Sequence, residues 1–143
     1  MNPQITLSDE LRRLVETRIQ HTLEGIEDTL KHVLEKKTLS LKDLKADIKS
    51  LEESFTLLSR KWNLEILYTL FLRDAIGFGE LKKILGVNSR TLSDKLKSLK
   101  QHAYIERVVE AGPPLRVKYT LTQKGKDTVL LALPLLYYSS RKL

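Results

Sequence analysis

Apolar positions along the 143-residue chain fall into three textures, and each predicts a different kind of element. From about Ser8 to Lys37, Ile19, Leu23, Ile26, Leu30 and Val33 follow alternating four- and three-residue steps, so they form one stripe of a helix. Thr6 or Ser8 caps its start, and Asp9 and Glu10 suit the positive end of its dipole. Leu11 and Val15 keep a four-residue step and slip out of that frame. Gly25 costs roughly 1 kcal/mol relative to alanine there and marks a bend or a close helix contact.

A second texture begins at Ser40, which with Asp43 forms a variant capping box. Leu41, Leu44, Ile48, Leu51, Phe55, Leu58 and Trp62 then recur in strict steps of three and four, with charges between them. This spacing is a coiled-coil seam, and it is equally the pattern of an amphipathic helix lying on its own domain. Both readings stay open, and both can hold at once. A helical pair of this size has little core of its own, and a second copy would supply the missing surface.

The third texture starts near Lys61. Trp62, Leu64, Ile66, Leu67, Leu70 and Phe71 predict a helix buried on most of its circumference, and Asp74 to Gly77 a turn. Phe78 to Leu85 predicts a short helix with Leu81, Ile84 and Leu85 inward. In Gly86-Val87-Asn88, glycine ends that helix, Val87 plugs the angle, and Asn88 or Ser89 caps the next one, which runs to Gln101. Two short helices joined by such a turn make a helix-turn-helix. Tyr104–Glu110 and Arg116–Leu121 carry the residues of strands, separated by Ala111-Gly112-Pro113-Pro114-Leu115, which continues neither. Thr122 caps a last helix, which Pro134 should kink or interrupt.

The expected fold is mainly α with a small β-hairpin wing: a winged helix-turn-helix with a long N-terminal helical arm. Its parts are an arm over 1–58, a winged domain over 59–122 and a C-terminal helix over 123–143.

Composition narrows the chemistry. With 41% hydrophobic and 30% charged residues the chain buries a core. Its net charge of +7 is unevenly spread: residues 1–58 carry 9 Lys/Arg against 11 Asp/Glu, and residues 59–143 carry 16 against 7. A basic module of this kind seeks a polyanion. There is no cysteine, which removes disulfides, thiolate metal sites and thiol nucleophiles. His21, His32 and His102 are scattered, without metal-binding spacing, and neither a Gly-rich phosphate loop nor a Ser/His/Asp arrangement is present. No enzyme, metal or cofactor is expected. The most apolar run, Val129–Tyr138, is too short to span a bilayer, so a cytoplasmic location without a membrane partner is expected.

In the helix Ser89–Gln101, Leu92, Leu96 and Leu99 share one face and must point inward. The opposite face carries Arg90, Asp94, Lys97 and Gln101, flanked by Ser89, Thr91, Ser93 and Ser98. A helix reads the major groove only if one side anchors it and the other offers hydrogen-bonding groups to base edges. Arg90, in the first turn, is the candidate for guanine. Ser89, Thr91 and Ser93 suit phosphate or mixed readout, and Lys97 phosphate. Asp94 either accepts from cytosine or pairs with Lys95 or Lys97. On the second wing strand Arg116 suits a minor groove, and Lys118 either meets phosphate or sits on a solvated face.

Together these residues resemble the HxlR-type winged-helix regulators, relatives of the MarR group. The likeness spans about Arg60 to Leu136. It rests on Lys61-Trp62 with Ile66-Leu67, on Phe78-Gly79-Glu80-Leu81, and on Val87-Asn88-Ser89-Arg90-Thr91-Leu92-Ser93-Asp94-Lys95-Leu96. Tyr104-Ile105-Glu106-Arg107 and Pro113-Pro114 follow, and the most distinctive stretch is Tyr119-x-Leu121-Thr122-x-x-Gly125. The resemblance implies a homodimer on a roughly palindromic duplex, built by the helices that flank the winged domain. Here those are the segments up to Leu58 and Val129–Tyr138, so Ile19, Leu23, Ile26, Leu30, Leu44, Ile48, Leu51 and Phe55 from the arm, with Leu130, Leu133 and Tyr137, are the candidate dimer residues. Three departures stand out. Ala103 replaces a usual glycine, so the turn before the wing should be strained or differently shaped. Lys118 replaces a commonly acidic residue. The arm is longer than usual and lacks the cysteine through which some members sense reactive chemicals. The expected function is dimeric, sequence-specific binding of double-stranded DNA in transcription regulation. The alternatives are a protein-docking winged helix and an architectural protein without sequence preference.

Overall fold

The computed structural model describes residues 9–35 and 41–140, and the chain divides between Leu51 and Glu52 into two compact units. The proposed caps Thr6, Ser8 and Ser40 lie outside the described residues, as do the side chains of Leu11, Val15 and Tyr137. Among the described residues six helices and three strands follow one another. In the first unit, α1 (Asp9–Glu35) leaves Leu23, Ile26 and Leu30 exposed, with Ile19 and Val33 half-buried. Glu27 and Lys31, one turn apart, form a surface ion pair at 3.1 Å.

The heptad stripe is carried by α2 (Leu41–Ser59), but not to its predicted end. Trp62 lies beyond the helix in the left-handed region, at φ 77°, as the cap of α3 (Asn63–Arg73). The chain turns at Ser59–Trp62, where Arg60 N–H donates to Leu57 O and Asn63 N–H to Arg60 O. The spacing continues through this break, so it predicts one seam where there are two helices. Leu57, off the stripe, is buried, and Leu58 and Trp62 pack against the core. Asn63 is buried too; its side-chain NH2 donates to Leu57 O at 2.7 Å and clips the end of α2 to the start of α3.

Ile66, Leu67 and Leu70 of α3 form the centre of the core with Leu81, Leu92, Leu99 and Ile105. Residues Ala75–Gly77, expected as part of a turn, are a strand, β1, paired antiparallel with β3 (Arg116–Leu121) so that Ile76 faces Tyr119. With β2 (Ile105–Glu110) they make a sheet of order β1-β3-β2. In α4 (Phe78–Leu85) Leu81 is buried and Leu85 half-buried, but Ile84 is exposed, contrary to expectation. At 100° per residue Phe78, Leu81 and Leu85 share a narrow arc, and Ile84 falls outside it. Finally α6 (Gln123–Ser140) runs through Pro134 and is not interrupted by it. It forgoes the one backbone bond that proline cannot donate.

Candidate nucleic-acid interface

Gly86 ends α4 in the left-handed region at φ 66°, and its N–H donates to Lys82 O. Val87 is buried in the angle of the turn. Asn88 then caps α5 (Ser89–Gln101): its Oδ1 accepts from Thr91 N–H at 2.8 Å. The two helices therefore meet as the sequence predicts, with Gly86 N–H and Thr91 N–H each finding a partner at the turn.

Three leucines hold α5 to the body. Leu92, Leu96 and Leu99 are each 2% exposed or less. The opposite side presents Ser89, Arg90, Ser93, Asp94 and Lys97 to solvent, with Thr91 half-buried beside them. No acidic residue occupies the first turn, so the positive end of the helix dipole adds to the Arg90 charge. Among the described residues, Arg90, Asp94 and Lys97 make no ion pair, and the pairing of Asp94 with a neighbouring lysine is not formed. This face is left open to an outside ligand.

The exit from α5 explains the motif around Thr122. Tyr104 N–H reaches back to Leu99 O and Ala103 N–H to Lys100 O, which is a Schellman ending with Ala103 in the glycine position at φ 63°. A left-handed alanine costs roughly 1–2 kcal/mol, so the expected strain is present. Thr122 secures the strained turn: its N–H donates to Tyr104 O, and its hydroxyl lies 2.6 Å from Ala103 O and accepts from Gly125 N–H, capping α6. Gly125 is required because a Cβ there would collide with the carbonyl oxygen of Tyr104. Lys124 completes the clasp, donating to His102 O with its ammonium 4.4 Å from the Tyr104 ring. Gly125→Ala is expected to destabilise the fold by about 1–3 kcal/mol, because the obstacle is backbone and cannot swing away. A lower urea midpoint would register this; an unchanged midpoint would show that α6 shifts freely.

In the wing, β2 and β3 pair with Glu110 opposite Arg116, so Arg116 stands exposed next to the tip formed by residues 111–115. Lys118 differs: it lies on the central strand, between Gly77 and Val108, and its ammonium is 3.5 Å from the Glu110 carboxylate. The candidate residues thus form two groups, the α5 face and the wing, with Lys118 partly engaged within the hairpin. Arg60 and Lys95 are not among the contact residues that the sequence points to. They line a hollow of about 380 Å³ with Asn63, Thr91, Asp94 and Ser98, beside α5. Arg60 belongs to the α2–α3 break, which the continuous heptad spacing conceals.

The sequence profile of the HxlR-like helix-turn-helix family matches residues 57–138, more than half of the chain. The chain belongs to the HxlR-like helix-turn-helix family. Among its relatives, the HTH-type transcriptional regulator YodB of Bacillus subtilis is 34% identical over 76 residues, covering 52% of this chain and 67% of that protein. An uncharacterized HTH-type transcriptional regulator of Bacillus subtilis, YdzF, is 33% identical over 77 residues, covering 53% and 71%. The solved structure of reduced YodB superposes with a TM-score of 0.58 at 26% identity, over 71% of this chain and 92% of that one. A MarR-family regulator of Enterococcus faecalis gives 0.57 at 27% identity, over 71% and 86%. This HxlR-like chain is accordingly an HTH-type transcriptional regulator with a winged fold, and its relatives are regulators, not enzymes. No described helix is long and apolar enough to cross a membrane.

Proposed function

We propose that this HxlR-like chain acts in the cytoplasm as a homodimer that binds double-stranded DNA sequence-specifically, with α5 in the major groove and the wing on the backbone or minor groove. One observation carries the reading: three buried leucines anchor α5 while its cationic, hydroxyl-rich side stays exposed and, among the described residues, without an ion pair. Arg90 reads guanine through its paired donors, and Asp94 accepts from cytosine. Ser89, Thr91, Ser93 and Lys97 hold phosphates and set the register. Arg116 enters the minor groove next to the wing tip, and Lys118 exchanges Glu110 for phosphate.

Residues 59–122 serve as the DNA-binding domain, and residues 1–58 with 123–143 as the dimer elements. Support comes from their unsatisfied apolar surface. Leu44, Ile48, Leu51 and Phe55 are exposed, as are Leu130 and Leu133, and a groove of about 300 Å³ runs between α3 and α6, lined by Leu64, Tyr68, Val129, Ala132, Leu133 and Leu136. Patches of this kind mark association surfaces.

Site selection from random duplex, followed by fluorescence anisotropy on the selected site, tests the reading. Arg90→Ala is expected to cost about 1–3 kcal/mol per half-site and to relax preference at one base pair. Equal affinity and unchanged preference would remove Arg90 from the reading role. Binding with no preferred site in the selection would indicate an architectural protein, and no binding a protein-docking module.

A further inference from the structure

Five apolar residues of α2 keep a large exposed surface: Leu41, Leu44, Ile48, Leu51 and Phe55 are between 38% and 84% exposed. Their steps of three and four assign them to the a and d positions of a heptad. Two sets of residues then flank the seam. Lys45 and Glu52 each follow a d residue, at e; Asp47 and Ser54 each precede an a residue, at g.

These flanks discriminate between the two ways in which α2 can pair with its own copy. In a parallel pair each g residue meets the e residue five positions later on the other chain. That would set Asp47 beside the partner's Glu52, twice, with like charges at both contacts. In an antiparallel pair e faces e and g faces g. With the two-fold axis midway between Ile48 and Leu51, Ile48 stacks on the partner's Leu51 and Leu44 on the partner's Phe55. Lys45 then meets the partner's Glu52, twice, with opposite charges, while Asp47 meets only the hydroxyl of the partner's Ser54.

We infer that α2 is an antiparallel self-pairing helix, whose occupant is α2 of a second copy and whose orientation is set by Lys45 against the partner's Glu52. This rests on the proposed homodimer and specifies its geometry. Helix dimensions agree with it. At 1.5 Å per residue the two Ser59 ends fall roughly 28 Å apart, so an antiparallel pair keeps the two winged domains at opposite ends. A parallel pair would bring both ends together. The stripe on α1 gives no such instruction, since its flanks are Gln20, Thr22 and Thr29 with Glu27, which is already paired with Lys31.

Sedimentation equilibrium of the full chain at low salt tests the orientation by sign. Glu52→Lys turns both attractive contacts repulsive in the antiparallel pair and is expected to weaken the dimer about tenfold. Adding Lys45→Glu to the same chain restores the attraction and the wild-type constant. In a parallel pair the same Glu52→Lys change would place a cation beside Asp47 and tighten the dimer. Because the protein has no cysteine, thiol cross-linking gives a second readout. Lys45→Cys chains mixed with Glu52→Cys chains should join through a short bismaleimide, and Asp47→Cys mixed with Glu52→Cys should not. A tightened dimer, or cross-linking of the second mixture only, overturns the orientation. A dimer indifferent to Glu52→Lys overturns the self-pairing and leaves the seam to another helix such as α1. A wild-type chain that stays monomeric at every concentration overturns the homodimer itself. Circular dichroism on each variant confirms that the helices are retained.

Discussion

Leu92→Ala is expected to lower the unfolding free energy by about 2–5 kcal/mol, the cost of removing a fully enclosed leucine and leaving a cavity. Leu92 has no exposed surface and lies at the start of α5, opposite Arg90 and Ser93, so its loss loosens the part of the helix that the proposed readout uses. Domains of this size have only about 5–15 kcal/mol of stability in total. A fall of 2 kcal/mol should therefore lower the melting temperature by roughly 8 °C or more. Lys97→Ala, on the other side of the same helix, is expected to stay within about 0.5 kcal/mol of wild type in stability. It should nevertheless weaken duplex binding. Thermal and urea unfolding of both variants separates anchoring from binding; equal loss of stability for the two would mean that α5 is not divided in this way.

Salt should act on binding even more strongly. With Lys97 and Lys118 on phosphates and Arg116 in the minor groove of each of two copies, six cations displace about as many counterions, and affinity should fall roughly a thousandfold between 50 and 200 mM salt. Arg116→Ala should reduce the slope of log K against log salt by about two, one contact per copy. Lys118→Ala is expected to reduce it less, because its 3.5 Å pair with Glu110 already offsets part of the charge in the free protein. A salt-independent affinity would exclude the phosphate contacts altogether. Cysteine-based signalling has no part in this account, since the 143 residues contain no thiol.

What the sequence revealed follows from how local each signal is. Leu92, Leu96 and Leu99 repeat at helical period within one element, and Gly86-Val87-Asn88 names its own turn, so the helix-turn-helix and its open face were legible. The cap at Thr122 was legible for the same reason, whereas the strain at Ala103 followed only from the glycine that the family resemblance puts there. Strand β1 was not: three residues are too few for an alternating pattern, and its partner strand lies far along the chain, as the bond from the Thr120 hydroxyl to Asp74 O, 46 residues apart, illustrates. The break at Ser59–Trp62 was hidden because the heptad spacing runs across it, although Trp62 has left the helix. Ile84 was misplaced because eight residues define a helical face poorly. Lys118 looked free because alternation along a strand says nothing about Glu110 on the neighbouring strand. The clasp of Thr122 and Gly125 over Ala103 and Tyr104 depends on a carbonyl some twenty residues away, so the motif could be noticed but its purpose could not.

The most direct test is the binding of the full chain to random-sequence duplex in dilute buffer, followed by anisotropy, for wild type and for the Arg90→Ala/Lys97→Ala double variant. Wild type should bind, and the double variant, with its melting temperature unchanged, should lose most of that affinity. Wild-type protein that ignores duplex even at the lowest salt, or a double variant that binds as well as wild type, would contradict the assignment of the exposed face of α5 to DNA.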